Sequence, residues 1–138
     1  MSAREVEGLD LGAPLRANSI RIVRARVAEL QCHAGAAFDP AAATAQHELR
    51  IAAKRLRYLL ELVGPCLGPE AEAGARAAKE LQGVLGELHD CDVMLTRTAA
   101  IESLEAFLRI RRDLLFRRFR GLWARESELG TFSALASL

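Results

Sequence analysis

His47, Arg50, Lys54, Arg57, Tyr58 and Glu61 are spaced so that an α-helix, turning about 100° per residue, gathers them on one face. Their chemistry is anion capture. Guanidinium forks and an ammonium point charge meet phosphate or carboxylate oxygens, and an imidazole beside a bound anion is favoured in its protonated form. Residues 50–57 hold four cations, Arg50, Lys54, Arg55 and Arg57, and no acid; Glu48 and Glu61 flank them. Like charges three and four residues apart repel modestly on a helix, so this stripe calls for acids on a neighbouring helix or for an anion from solution. The plainer alternative is a solvated charged face. The opposite side of the same segment reads Leu49, Ala52, Leu56, Leu59, Leu60 and Val63, a surface suited to burial.

A second segment, LQGVLGELHDCDVML at residues 81–95, places Gly83 and Gly86 away from its leucines, on the side of Lys79, Gln82, Asp90 and Arg97. Glycine inside a helix costs about 0.8–1 kcal/mol relative to alanine. Two of them so close imply either a tight approach by another backbone or a shallow trough beside Lys79. Asp92 falls near the apolar side and calls for a cationic partner, because an unpaired buried carboxylate is costly. Asp90 falls on the polar side, where it could orient Arg50 or Lys54.

Other chemistries fit less well. HELR at residues 47–50 is similar to the phospho-acceptor box of sensor histidine kinases, but Ile51, Ala52 and Ala53 stand where that box continues towards a proline. Glu87 and His89 have the wrong interval for the Glu-x-x-His motif of di-iron bundles, and Cys32-His33 and His89/Cys91 are isolated, so neither a metal nor another cofactor is expected. No catalytic group stands out, and a non-enzymatic protein is expected. A nucleic-acid backbone would meet the same cations, yet only Tyr58 is nearby for base stacking, so nucleic-acid binding is the competing and weaker expectation.

The elements that must position these residues are helices. The chain has 138 residues, enough for one core-bearing domain, is rich in Ala, Leu, Arg and Glu, and has few aromatics. With 19 basic and 18 acidic residues the net charge is +1, so placement rather than total charge must create any attraction for a polyanion. Cys32, Cys66 and Cys91 form no CxxC pair, and reduced thiols in the cytoplasm are expected. The start lacks a basic, then apolar, leader pattern, and no run is long enough for a membrane span. Residues 1–12 read as a flexible lead-in, and residues 13–127 as the helical domain. Helix one is expected from Pro14 to about His33 with Gly35 beyond its end, helix two from Asp39-Pro40 to Val63, helix three over 70–97, and helix four over 101–126 after a break near Thr96 to Ala100. Short connections make these an all-α, up-down antiparallel four-helix bundle, and residues 128–138 a tail that docks on the bundle or on a partner.

HELRIAAKRLRYLLELV at residues 47–63, followed by KELQGVLGELHDCDVM at 79–94, resembles the CHAD family, the conserved-histidine α-helical domains. The pattern is a histidine, an arginine three residues on, a KRLRY core, and LQxxLGxLxD one helix later. RRFRGLW at 117–123 is similar to the family's last helix. The resemblance implies a helical domain that binds inorganic polyphosphate on a basic surface, localises to polyphosphate granules and performs no chemistry of its own. The positions it implies for phosphate contact are His47, Arg50, Lys54, Arg55, Arg57 and Lys79, with Arg16 and Arg21 on helix one. Family members usually contain two helical halves related by a pseudo-two-fold axis. This sequence carries one copy of the signature, in the form of the second half, so a homodimer is expected to supply the other.

Overall fold

The computed structural model describes residues 2–98 and 100–138; Met1 of the lead-in and Ala99 of the 96–100 break lie outside the described residues. The protein is all-helical: α1 (Leu15–Ala37), α2 (Ala43–Val63), α3 (Pro69–Arg97), α4 (Glu102–Leu129) and a short α5 (Thr131–Ala136). Among the described residues, no helix is long and apolar enough to cross a membrane.

Each long helix buries one aliphatic stripe. Val23, Val27 and Leu30 of α1 meet Leu49, Leu56 and Leu60 of α2; Leu81, Leu85 and Leu88 of α3 and Leu108, Leu115 and Phe119 of α4 complete the core. α2 packs on both α1 and α3, and α3 on both α2 and α4. Alanines at 52, 53, 71, 77 and 78 are buried, which brings the helix backbones close.

Three boundaries differ from the periodicity. α1 runs through Gly35 to Ala37, because Ala34 and Ala37 are buried and Phe38 stacks on Phe119 of α4 at 5.3 Å between ring centroids. α2 begins at Ala43 and not at Asp39-Pro40. The Asp39 carboxylate accepts the Ala41 N–H at 3.0 Å, and the Gln46 side-chain amide donates to the Asp39 and Ala37 carbonyls, so residues 39–42 form a turn ahead of the helix. α4 runs to Leu129, where Gly130 turns the chain with φ +67.

The ends of the chain are more ordered than composition suggests. The Arg4 N–H donates to buried Glu29 of α1 at 2.6 Å and Arg26 donates to the Arg4 carbonyl, laying the N-terminal segment along α1. Burial by itself raises the Glu29 pKa, but the Arg4 N–H and Arg26, with a further contribution from Arg55, outweigh it and hold the carboxyl below its ordinary range. Of the two expectations for residues 128–138, the bundle is what they dock on: α5 buries Phe132 and Leu135 against α1, α3 and α4. Gly74 makes this docking feasible, since a Cβ there would lie 2.5 Å from Leu135 Cδ1. The Glu126 carboxylate accepts the Thr131 hydroxyl and lies beside Arg125, fastening the α4–α5 corner.

Asp92 has the cationic partner its position demands. Arg112 of α4 donates to both Asp92 oxygens, to the Pro40 carbonyl at 2.7 Å and to Gln46 Oε1 at 2.9 Å. One guanidinium thus joins α3, α4, the 39–42 turn and the first turn of α2. Removing one partner of a mostly desolvated ion pair strands the other. Arg112→Ala is therefore expected to lower unfolding free energy by about 2–4 kcal/mol in urea denaturation, whereas Arg109→Ala, which removes an exposed pair with Glu105, should change it by less than about 1 kcal/mol.

Candidate functional site

The edge where α2 meets α3 gathers most of the expected site. α2 must turn Leu49, Ala53, Leu56 and Leu60 inward, and that rotation leaves His47, Arg50, Lys54, Arg57 and Tyr58 along the rim next to α3. From α3, Gln82, Gly86 and His89 face them. The His47 and His89 rings stack with centroids 4.4 Å apart and planes inclined by 25°. A Cβ on Gly86 would lie 3.4 Å from Arg50 Nε, so the arginine stem rests over the bare backbone of α3.

Two nitrogens here are withdrawn from solvent without a hydrogen-bond partner among the described residues, His47 Nδ1 and Arg50 Nε. Burial, the neighbouring His89 and Arg50 all push the His47 pKa below its ordinary value of 6.5, with Glu48 opposing weakly. The imidazole is thus held neutral beside a cation in a site poor in acids. Lys54 is exposed and lies 5.9 Å from the Tyr58 ring centroid, with the Arg57 guanidinium 5.2 Å away on the same ring. Lys54 and Arg50 have no ion pair among the described residues.

Arg57 is less available. Its Nε donates to Glu61 at 2.8 Å and its Nη1 to Gln82 Oε1 at 3.0 Å, so part of its fork is already occupied. Arg55 sits about 100° round the helix from Lys54, on the α1 side, where its charge lowers the pKa of Glu29. It belongs to a different edge of α2. Arg16 donates to the Cys66 carbonyl at 2.6 Å, and Arg21 lies against Gly8. No hydrogen bond or ion pair among the described residues ties either to the His47–Arg57 group. Asp90 is exposed and makes no ion pair with Arg50 or Lys54 among the described residues.

Lys79 is exposed on the outer side of α3, where it lines a groove of about 700 Å³ between α3 and α4 with Glu80, Gly83, Glu87, Arg118 and Arg125. Nothing lies within 4 Å of a Cβ built on Gly83. Gly83 therefore opens this trough, whereas Gly86 lies under Arg50 at the α2–α3 edge, and neither faces a neighbouring backbone among the described residues. Arg125 and Arg111 of α4 meet Glu80 and Glu87 at 2.7 and 3.4 Å, so acids temper this groove, unlike the α2 rim.

His89 is the residue the sequence pattern missed. Its interval from Glu87 pointed only to an absent metal motif, and nothing in the spacing along one helix could place it over His47 on another. No group of three or more potential ligands close enough to hold a metal ion occurs among the described residues.

Because folding depresses the His47 pKa, the unfolded chain binds more protons as pH falls below 6.5, so this histidine makes the fold less stable in acid and has no effect above that range. His47→Gln should flatten stability between pH 7 and 5, read by urea midpoints in matched buffers. At Gly83, alanine should raise stability by about 0.5–1 kcal/mol, whereas Gly86→Leu should displace Arg50 from its resting place.

The CHAD domain family model matches residues 4–99, from the N-terminal segment through α3. RRFRGLW, on α4, lies beyond the match. No curated protein and no solved structure matches the chain. A family model covering more than two thirds of the chain, over the two helices that build the His47–Gly86 edge, makes this protein a member of the CHAD domain family.

Proposed function

We propose that this protein binds inorganic polyphosphate along the α2–α3 edge, without catalysing a reaction, and that binding recruits it to polyphosphate granules in the cytoplasm. CHAD domains are associated with polyphosphate binding, and the local chemistry agrees with that use. The observation that carries the reading is the pair of buried nitrogens lacking a hydrogen-bond partner among the described residues, His47 Nδ1 beside His89 and Arg50 Nε over Gly86, in a rim short of acids. Buried polar atoms are ordinarily satisfied, and an anion's oxygens would satisfy these. Arg50 and Lys54 are the principal contacts, His47 and His89 the head of the track, and Arg57 a contact that must share its fork with Glu61 and Gln82.

A bound polyanion reverses the electrostatics of His47. Its negative field raises a pKa that burial had lowered, so the complex takes up protons where the free protein has none, and affinity rises as pH falls through that window. The competing ligand is a nucleic-acid backbone. Tyr58, half exposed, already has Lys54 and Arg57 beside its ring, which leaves it a poor platform for a base.

The four long helices are read as an up-down antiparallel bundle equivalent to one half of a two-bundle domain. A homodimer then aligns two basic edges. With two edges engaged, affinity should fall with a log–log salt slope on the order of −4 to −8, taking about 0.7 per phosphate neutralised on a flexible strand.

Calorimetric titration with polyphosphates of defined length tests the proposal. Arg50→Glu/Lys54→Glu should weaken binding by about a hundredfold, and RNA or DNA at equal charge and salt should compete poorly. Unchanged affinity in the reversed variant, or a salt-independent association, would remove the α2–α3 edge as the site.

A further inference from the structure

α4 carries two apolar stripes, and among the described residues only one has a neighbour. Leu108, Leu115, Phe119 and Leu122 enter the core, whereas Phe107, Ile110 and Leu114 stand 59%, 63% and 59% exposed. A surface helix of a monomer needs one apolar face; a helix apolar on two sides sits between two partners.

The open stripe has the spacing of a helix–helix seam. Phe107, Ile110, Leu114, Arg117 and Gly121 follow one another at intervals of three and four residues, the alternation that keeps one line of side chains against a parallel helix. A shallow furrow of about 280 Å³ runs along it, bordered by Arg111 and Arg118. Gly121 is open, with nothing within 4 Å of a Cβ there, and closes the line without a projecting side chain. Arg117 ends the apolar run, its aliphatic stem able to lie along the seam while its head stays in water.

Among the charges beside this stripe, which include Arg111 and Arg120, one pair is self-complementary. Asp113 and Arg118 are exposed on opposite flanks, and neither has an ion pair among the described residues. Their separation of five residues is that of the positions which pair across a parallel two-stranded seam, where residue i on one helix meets i+5 on the other. Each copy therefore offers what the other lacks, twice over by symmetry.

We propose that the exposed face of α4 binds a second copy of this chain, α4 alongside α4 in the same direction, with Ile110 and Leu114 buried at the centre and Asp113 of each copy paired with the partner's Arg118. This rests on the two-copy reading given above and names the surface that serves it. α3 stands between α2 and α4, so the seam leaves the basic edge of each copy open.

Sedimentation equilibrium of the full chain, with and without Leu114→Asp, tests it, and circular dichroism establishes that the exposed substitution leaves the helices intact. Wild type should be dimeric, and Leu114→Asp should raise the dissociation constant at least about tenfold. Asp113→Arg should also weaken the dimer, while Asp113→Arg/Arg118→Asp should restore it. A dimer indifferent to Leu114→Asp and to the charge reversal would overturn this interface and leave the two-copy reading standing. A monomeric wild type would overturn both, and polyphosphate titration would still judge the basic edge on its own.

Discussion

The structure depends on how closely α2 can lie against α3. Leu49, Ala53, Leu56 and Leu60 on one helix and Ala77, Ala78, Leu81 and Leu85 on the other are all buried, and small residues among the leucines let the two backbones approach. That approach fixes the rotation of α2 about its axis. Once its aliphatic side is committed, the cations of the other side have no freedom to go elsewhere. Basic residues on the rim follow from where the leucines must be.

The same approach produces the unusual polar environment at the rim. A stripe of cations on an isolated helix would be fully hydrated and its histidine would titrate normally. Here α3 lies alongside, with no side chain at Gly86 and a second imidazole at His89, so His47 and Arg50 lose water without gaining an acid. Loss of hydration is what lowers the His47 pKa, with the neighbouring positive groups acting in the same direction. Elsewhere on the molecule, arginines meet carboxylates: Arg109 meets Glu105, Arg125 meets Glu80, and Arg112 meets Asp92. On the rim, Arg57 meets Glu61, while Arg50 and Lys54 have no ion pair among the described residues, in a protein whose charges nearly cancel overall.

Arg112 gives the rim its fixed end. Its contacts with Asp92, Gln46 and the Pro40 carbonyl lock the first turn of α2 one residue ahead of His47. Because Gln46 also holds the turn from α1, the imidazole stack rests on a hydrogen-bonded junction of four chain segments. An anion at this rim would meet groups whose backbone is set before it arrives, which reduces the ordering cost of binding.

Periodicity was enough to define the helical class, the buried stripes and the set His47, Arg50, Lys54, Arg57 and Tyr58, because residues on one helix are related by a fixed angle. The motif from His47 to Met94 was also enough to point to the CHAD family, since a motif is a property of the chain itself. Tertiary packing decided what spacing along one helix cannot encode: His89 stacked on His47, Arg55 turned to the α1 side, Lys79 placed in the α3–α4 groove, and Asp90 exposed without an ion pair among the described residues. It also decided the ends of the elements. Gly35 stays helical because its neighbours are buried, and the polar tail becomes α5 because Phe132 and Leu135 find a site that Gly74 leaves open. Local sequence sets which face each helix offers; only packing sets what meets that face, because those neighbours are distant in the chain and their approach depends on how every other helix fills the core.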